Sequence, residues 1–481
     1  MQADVSTEGP APEPGGARRI ELMARKWGWL VVGASAVACF HASLLPGWWW
    51  LSVPFLAGIW WLATHPALRM ARPFYFGLAL GLCLYAPQLT FFWGIFGPGA
   101  AALWVVLASW LGIFFVFSCG CVARWGSKVA ALLVPALWTG VEYFRCELYY
   151  LRFTWLTTGY TLSGLDGAHL FLRGGVYGYA LVVLLTFSTL WLGWKRSRYV
   201  LVTAGVALGL VISVPRTPAD HGPSRKLHVT GVQLEFPGES EVLLTLRQLA
   251  ARFPQTELVV LSEYAFDGPV PKAVKAWCRQ THRYLVAGGK DFLGNGQFNN
   301  TVFVVDPSGE IVFKQVKAVP IQFFKDGRPA REQRVWKSPW GPLGFCICYD
   351  LGYSRITDEL VRQGAAALIV PTMDIEDWGR RQHELHARIA PLRAAEYGIP
   401  IFRLASSGIS QWVGPTGRVL ASAPFPGPGV FLPAELEMSG PAHLPPDRLP
   451  AMLCAVMAGG LGLVLLWQAA REGRIRFRAS Y

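Results

Sequence analysis

Long apolar stretches separated by short polar loops fill the first 215 residues, and the pattern then changes to short β-rich runs interleaved with amphipathic segments. A spanning helix needs about 20 mostly apolar residues. Seven such segments are predicted near 28–44, 46–64, 73–96, 99–122, 127–146, 174–194 and 198–214, and an eighth near 450–470. In the intervening region, strands are predicted at 227–233, 257–263, 284–290, 300–306, 310–316, 342–350, 367–372 and 400–406, with helices near 240–252, 270–282, 354–363 and 380–397. Apolar strands alternating with helices predict a layered α/β domain whose sheets are buried.

Charge gives this pattern a direction. Arg18, Arg19, Arg25 and Lys26 precede the first apolar segment, and the loop after it, Leu44-Leu45-Pro46-Gly47, is uncharged, which predicts a cytoplasmic N-terminus. Every later loop on that side should then be basic. Arg69 and Arg72, Arg124 and Lys128, Lys195, Arg196 and Arg198, and the closing Arg471, Arg474, Arg476 and Arg478 all meet the condition. Odd parity puts the α/β region on the outer face. The expected organisation is a disordered tail at 1–25, a seven-span domain at 26–215, an extramembrane domain at 226–437, an eighth helix at 449–470 and a basic cytoplasmic tail at 471–481.

Composition agrees with a membrane protein: 52% of residues are hydrophobic and 16% charged, where about a quarter charged is usual. The net charge of +13 does not point to nucleic acid, because the basic residues are scattered between apolar segments instead of forming one stripe. Of nine cysteines, six lie in or beside apolar spans, leaving Cys278, Cys346 and Cys348 in the outer domain. An odd count in an oxidising compartment leaves at least one free thiol.

Several strands end in a reactive side chain: Glu263, Lys317 and Cys348. Singly, each has a plain reading as a helix cap, a surface charge or a core residue. Together they supply a base, a cation and a thiol, the three parts that nucleophilic acyl chemistry requires. Their order and surroundings, "LSEYAF", "GEIVFKQVK" and "GFCICYD", resemble the nitrilase superfamily over 226–437. That resemblance implies an αββα fold and a Glu263, Lys317, Cys348 triad. It selects Cys348 over Cys346, because the family's nucleophile follows a Gly and three mostly apolar residues at a strand-to-helix elbow. It also selects Lys317 over Lys314 and Lys325, by the distance from Gly309.

Insertion of such a domain between the seventh and eighth spans, with "WTGVEYFR" at 138–145, "FTWLTTGY" at 153–160, "PTMDIEDWG" at 371–379 and "GPTGRV" at 414–419, resembles the apolipoprotein N-acyltransferase family. The resemblance implies a bacterial inner-membrane enzyme that moves a fatty acyl chain from a phospholipid donor, through a cysteine thioester, to the α-amine of a diacylglyceryl-cysteine apolipoprotein, within membrane lipid and with no cofactor, metal or nucleic acid. Candidate substrate-binding residues are Trp138, Glu142, Arg145, Trp155, Tyr349, Asp350, Trp378 and Glu396. Trp138, Glu142 and Arg145 share a helix face, where Glu142 and Arg145 either meet a lipid headgroup or pin the 147–173 loop. This chain departs from the family in two places: "VPIQFFKDG" at 319–327 replaces a Pro-Phe-Gly-Glu stretch, offering Gln322 and Lys325 where the family has an acidic residue, and Asp350 stands where Glu is usual. Rival readings are a membrane-anchored nitrilase-type hydrolase and a catalytically silent lipid- or lipoprotein-binding protein. His383 and His386 are three apart, the wrong spacing for the two-histidine zinc motif, and "AGGKD" at 287–291 lacks most of a phosphate loop.

Overall fold

The computed structural model describes residues 14–65, 72–193, 225–438 and 442–479. The α/β domain is built on two six-stranded sheets, ordered β12-β1-β2-β3-β4-β5 and β11-β10-β9-β8-β7-β6. In the first, β1 (Arg225–Val232), β2 (Leu258–Val260) and β3 (Tyr284–Gly294) run parallel, and β4 (Gln297–Val305), β5 (Ile311–Val316) and β12 (Phe431–Met438) are antiparallel additions. In the second, β7 (Gly341–Phe345), β8 (Ala367–Thr372) and β9 (Ile401–Ala405) are parallel, extended by β6 (Trp336–Ser338), β10 (Ser410–Val413) and β11 (Val419–Ala423).

Strand periodicity explains the layering. Val259 and Leu261 of one sheet face outward, onto Val242, Leu246 and Leu249 of helix Glu239–Arg252 and Val274 and Trp277 of helix Lys272–Thr281. The alternate residues Leu258 and Val260 join the core that also holds Leu343, Phe345, Phe402 and Leu404 of the other sheet. The sheets approach closely at Gly231: a Cβ there would lie 2.4 Å from Leu404 Cδ1. The predicted strands all appear in this domain. The added strands β6, β10, β11 and β12 are short, or lie in the Pro- and Gly-rich stretches after residue 406, where the apolar pattern is weak.

In the apolar half, the helices depart from single uninterrupted spans in informative ways. The expected tail at 1–25 is helical from Pro14, because Ala17, Leu22, Met23 and Ala24 favour helix and extend Pro14–Ser43 backward; residues 1–13 lie outside the described set. The span expected at 73–96 breaks into Pro73–Tyr85 and Phe91–Phe96. Pro87 has no N–H to continue the first helix, and the second piece is thereby free to turn toward the α/β domain. The two spans expected at 99–122 and 127–146 follow one another within Gly99–Tyr143, which breaks at Gly126, whose φ of 78° and ψ of 167° are not helical. Ring contacts of Phe114 with Trp138 (5.3 Å) and Trp110 with Phe144 (5.4 Å) put its two arms side by side. Among the described residues, Gly99–Leu148, Val176–Gly193 and Arg448–Gln468 are long and apolar enough to cross a membrane, and Gly28–Ser43, Trp49–Thr64 and Pro73–Tyr85 are shorter apolar helices. The segment expected at 198–214 lies outside the described residues.

Small residues bring these helices together. A Cβ on Gly77 would lie 2.6 Å from Leu111 O, and one on Gly81 would lie 2.8 Å from the Ala108 Cα. Gly140 likewise touches the backbone of Cys454 on helix Arg448–Ala479. This small-xxx-small packing is how helices associate in lipid, where burial of apolar surface gives no drive.

Candidate active site

β7 ends at Phe345, and after two more residues the chain turns sharply into a short 3-10 helix, Cys348–Gly352. Cys348 has a φ of 53°, in the left-handed region that costs a residue with a Cβ about 1 kcal/mol or more, so its side chain is aimed by a strained backbone. Asp350 holds the elbow in place. Its carboxylate accepts from the amides of Ala318 (3.0 Å), Val319 (2.7 Å) and Ile347 (3.3 Å). Burial raises its carboxyl to about 6, against the pull of Lys317 and these amides. Asp350 thus ties the elbow to the segment after Lys317 and faces away from the cleft described below.

Glu263 and Lys317 meet beneath the elbow. Lys317 Nζ lies 2.8 Å from Glu263 Oε1 and 2.7 Å from Asp326 Oδ2, and the Glu263 and Lys317 side chains are wholly buried. Asn300 Nδ2 donates to Glu263 Oε1 (2.6 Å) and Asp326 Oδ1 (2.8 Å), joining the two acids. Tyr264 OH (2.8 Å) and the Ile321 amide (2.8 Å) complete the shell of Asp326. Met373 links base and thiol: its amide donates to Glu263 Oε2 (2.9 Å), and its carbonyl accepts from the Cys348 thiol at 3.7 Å.

The electrostatics divide these groups. Burial raises Glu263, with Lys317 opposing. Burial works against the Lys317 charge, yet Asp326 and Glu263 hold its ammonium well above the ordinary lysine value. Burial, reinforced by Glu263, pushes the Cys348 thiol well above its ordinary value, with Lys317 opposing. The resting site is therefore a protonated thiol beside a carboxyl group and a fixed cation, chemistry suited to proton transfer at the moment of attack. Cys346 is fully buried and is not among the residues lining the cleft that Cys348 borders; its amide pairs with Ile369 O across the sheet.

Asp326 is the residue that the sequence pattern does not single out. It belongs to the stretch read as offering only Gln322 and Lys325, and it supplies the missing acid one position further on. The signal available was the Asp-Gly pair: Gly327 has a φ of 82°, and a Cβ there would lie 2.7 Å from Asn300 N, so this turn requires glycine.

Cys348 opens into an apolar cleft shared by both halves of the chain. Phe91, Phe96, Leu103 and Leu107 of the apolar helices form one wall; Tyr349, Trp378, Phe323 and Phe324 form another. Trp155 also lines it, stacked on His386 with ring centroids 5.0 Å apart. Tyr349 OH donates to Arg152 O at 3.1 Å. Trp378 meets Phe324 edge-on, and Phe324 in turn meets Phe96.

The remaining candidates lie elsewhere. Trp138, Glu142 and Arg145 surround a separate small hollow with Tyr85 and Phe114. Glu142 accepts from the Thr158 amide (2.9 Å), and Arg145 donates to Phe153 O (3.2 Å), so the two hold the 149–162 loop individually. Glu396 is buried between Arg393 and Arg448, 2.9 Å from the latter, and accepts from the Val176 amide. Arg393 donates to Leu351 O and Gly352 O, bracing the 3-10 helix after the thiol. His383 and His386 close on Asp374: His386 Nδ1 is 2.7 Å from its carboxylate, which Arg403 also contacts. The expected helix 380–397 is two helices, Gly379–Ala387 and Ile389–Tyr397, since the ring of Pro391 clashes with the carbonyl four residues earlier.

Comparison with known proteins follows this division of the chain. The carbon-nitrogen hydrolase family model matches residues 235–434, and that of the apolipoprotein N-acyltransferase N-terminal domain matches residues 32–189. An apolipoprotein N-acyltransferase of Geobacter metallireducens is 22% identical over 77% of this chain and 84% of its own length. One of Brucella melitensis biotype 1 is 24% identical over 91% and 90%. A crystal structure of a carbon-nitrogen hydrolase from Helicobacter pylori G27 corresponds to 44% of this chain and 90% of its own, at 20% identity and a TM-score of 0.39. With the N-terminal domain model of these acyltransferases and the hydrolase model matched in turn along a single polypeptide, this chain belongs to the apolipoprotein N-acyltransferase family.

Proposed function

We propose that the protein transfers a fatty acyl chain from a membrane phospholipid to the α-amine of a lipoprotein's diacylglyceryl-cysteine, with Cys348 as the acyl carrier. The observation that carries this reading is the apolar cleft: the thiol lies where helices of the membrane half form the wall. A lipid ester can reach it without its chains crossing water. In the first half-reaction Glu263 takes the thiol proton and the sulfur attacks the ester carbonyl. Lys317 and the elbow amides steady the oxyanion. The carbon–oxygen bond breaks, and the departing glycerol oxygen takes the proton from Glu263, leaving a thioester and a lysophospholipid. In the second, the acceptor amine attacks the thioester and gives a proton to Glu263. The carbon–sulfur bond then breaks, and the sulfur recovers that proton. Eight spans, both termini in the cytoplasm and the hydrolase domain on the outer face are the topology that suits this pair of lipid substrates.

The test is intact-protein mass after incubating the full chain in detergent with a defined phospholipid. A hydroxylamine-labile gain of one acyl group is expected, discharged by a diacylglyceryl-cysteine peptide. A thioester that water clears as fast as the peptide does would favour the hydrolase reading, and no adduct with any diacyl phospholipid would overturn acyl transfer. A pH profile tests the base. Burial raises Glu263, and a base works only when unprotonated, so acylation is lost as pH falls through that raised value. The acid limb should lie above the ordinary Glu pKa of about 4.3. A limb at or below it would remove Glu263 from the role.

A further inference from the structure

An arginine in the cleft wall and a second one near it form no salt bridge among the described residues. Arg152, which lines the cleft, and Arg355, at the start of helix Ser354–Arg362, flank one ring, with guanidinium carbons 5.9 and 6.0 Å from the Tyr353 centroid. Arg152 Nε is buried with no hydrogen-bond partner among the described residues. Glu147 Oε1 accepts from the Ser354 amide and Tyr177 OH, each at 3.0 Å, its Oε2 is buried without a hydrogen-bond partner among the described residues, and Asp350 is held by backbone amides. Burial and then the Arg152 charge lower Arg355, against the pull of Glu147, Tyr353 and Asp350.

The backbone beneath Arg152 is fixed instead of free. Tyr349 OH and Tyr353 OH both donate to its carbonyl, each at 3.1 Å. Tyr349 directly follows Cys348, so the Arg152 backbone is tied one residue from the thiol. Paired guanidinium groups offer planar forks of donors matched to phosphate oxygens. We propose that Arg152 and Arg355 seat the phosphate of the acyl-donor lipid, so that the headgroup is held at the cleft edge while the ester is presented to Cys348. This assignment rests on the acyl-transfer reading above, and adds to it a basis for choosing donors: a diacyl lipid without phosphate lacks the anchor.

The experiment compares phosphatidylglycerol with diacylglycerol of the same chains, in mixed micelles, with the full-length protein. Thioester formation in the wild type should favour the phospholipid at least tenfold at sub-saturating lipid. In the Arg152→Gln/Arg355→Gln variant that preference should fall toward unity through a raised half-saturating concentration, and lysine at both positions should restore part of it. Arg331→Gln, which does not border the cleft, is the charge control and should retain the preference. A preference unchanged in the double glutamine variant overturns the proposal. Inorganic phosphate is the third arm: if it binds the pair while lipid phosphate confers no preference, the seat is for a free anion and the lipid assignment fails. If the wild type forms no thioester, the acyl-transfer reading fails separately. Retention of phosphatidylglycerol over diacylglycerol by Cys348→Ala protein in native mass spectrometry, lost on adding the two glutamines, then decides the phosphate seat alone.

Discussion

Cys348→Ala is expected to abolish the acyl adduct, whereas Cys346→Ala keeps it. The two thiols are two residues apart and both buried, so the difference lies in what each faces. Cys348 sits at the left-handed elbow, borders the cleft and shares the Met373 backbone with Glu263. Cys346 is enclosed by the sheet, and removing its sulfur should cost about 1 kcal/mol of stability, the typical effect of a small core truncation. Without the Cys348 sulfur no covalent intermediate exists, and turnover should fall at least 10³-fold, as when other covalent nucleophiles are deleted. The mass of each variant after exposure to phospholipid is the measurement. An adduct that persists in Cys348→Ala would move the nucleophile elsewhere.

Lys317→Met should have the next largest effect, and on two observables at once. It leaves Glu263 and Asp326 buried, bridged by Asn300 and without a cation. Breaking a buried ion pair from one side typically costs about 3–5 kcal/mol. The site can relieve part of this only by taking up a proton, since closely spaced buried carboxylates resist joint ionisation. A proton on Glu263 removes the base just as the oxyanion loses its cation, so acylation should drop by roughly 10³-fold or more, the scale of losing one strong oxyanion donor together with general-base catalysis. Adding Asp326→Asn should recover stability by removing the second charge, yet leave acylation low. Thermal unfolding in detergent and the acylation rate, measured on the single and double variants, test this. A Lys317→Met protein with unaltered unfolding and near-normal acylation would show that the charges are not coupled as described.

Much of this site was legible from strand ends. Glu263, Lys317 and Cys348 each stand where an apolar run stops, and parallel strands bring such ends to one edge. What could not be read were groups without periodicity. Asp326 lies in an aromatic loop whose Phe323 has a φ of 71°, so no strand or helix pattern reports it. Asn300 lies inside β4, where it resembles any strand polar residue. Asp350 and Glu396 were legible as special but not in their direction: both carboxylates are spent on backbone amides or arginines away from the cleft. Hydropathy located the apolar helices, but only Pro87 and Gly126 hinted where they bend, and the bend at Pro87 is what brings Phe91 and Phe96 to the thiol.

The two halves of the chain also cap each other's helices. Glu147, from the apolar half, accepts the Ser354 amide that begins helix Ser354–Arg362 of the α/β domain. In return Glu396 of the α/β domain accepts the Val176 amide at the head of helix Val176–Gly193, where Asp447 takes the next two amides. A helix start needs such acceptors, and a carboxylate also answers its partial positive charge. Each half therefore carries a helix start to which the other supplies an acceptor. Separating the hydrolase portion from the apolar helices would leave the Ser354 amide without Glu147 and the Val176 amide without Glu396, with Asp447 still holding the next two amides, and exchanging the hydrolase portion with that of another protein would require the donor to bring a carboxylate to the position of Glu396.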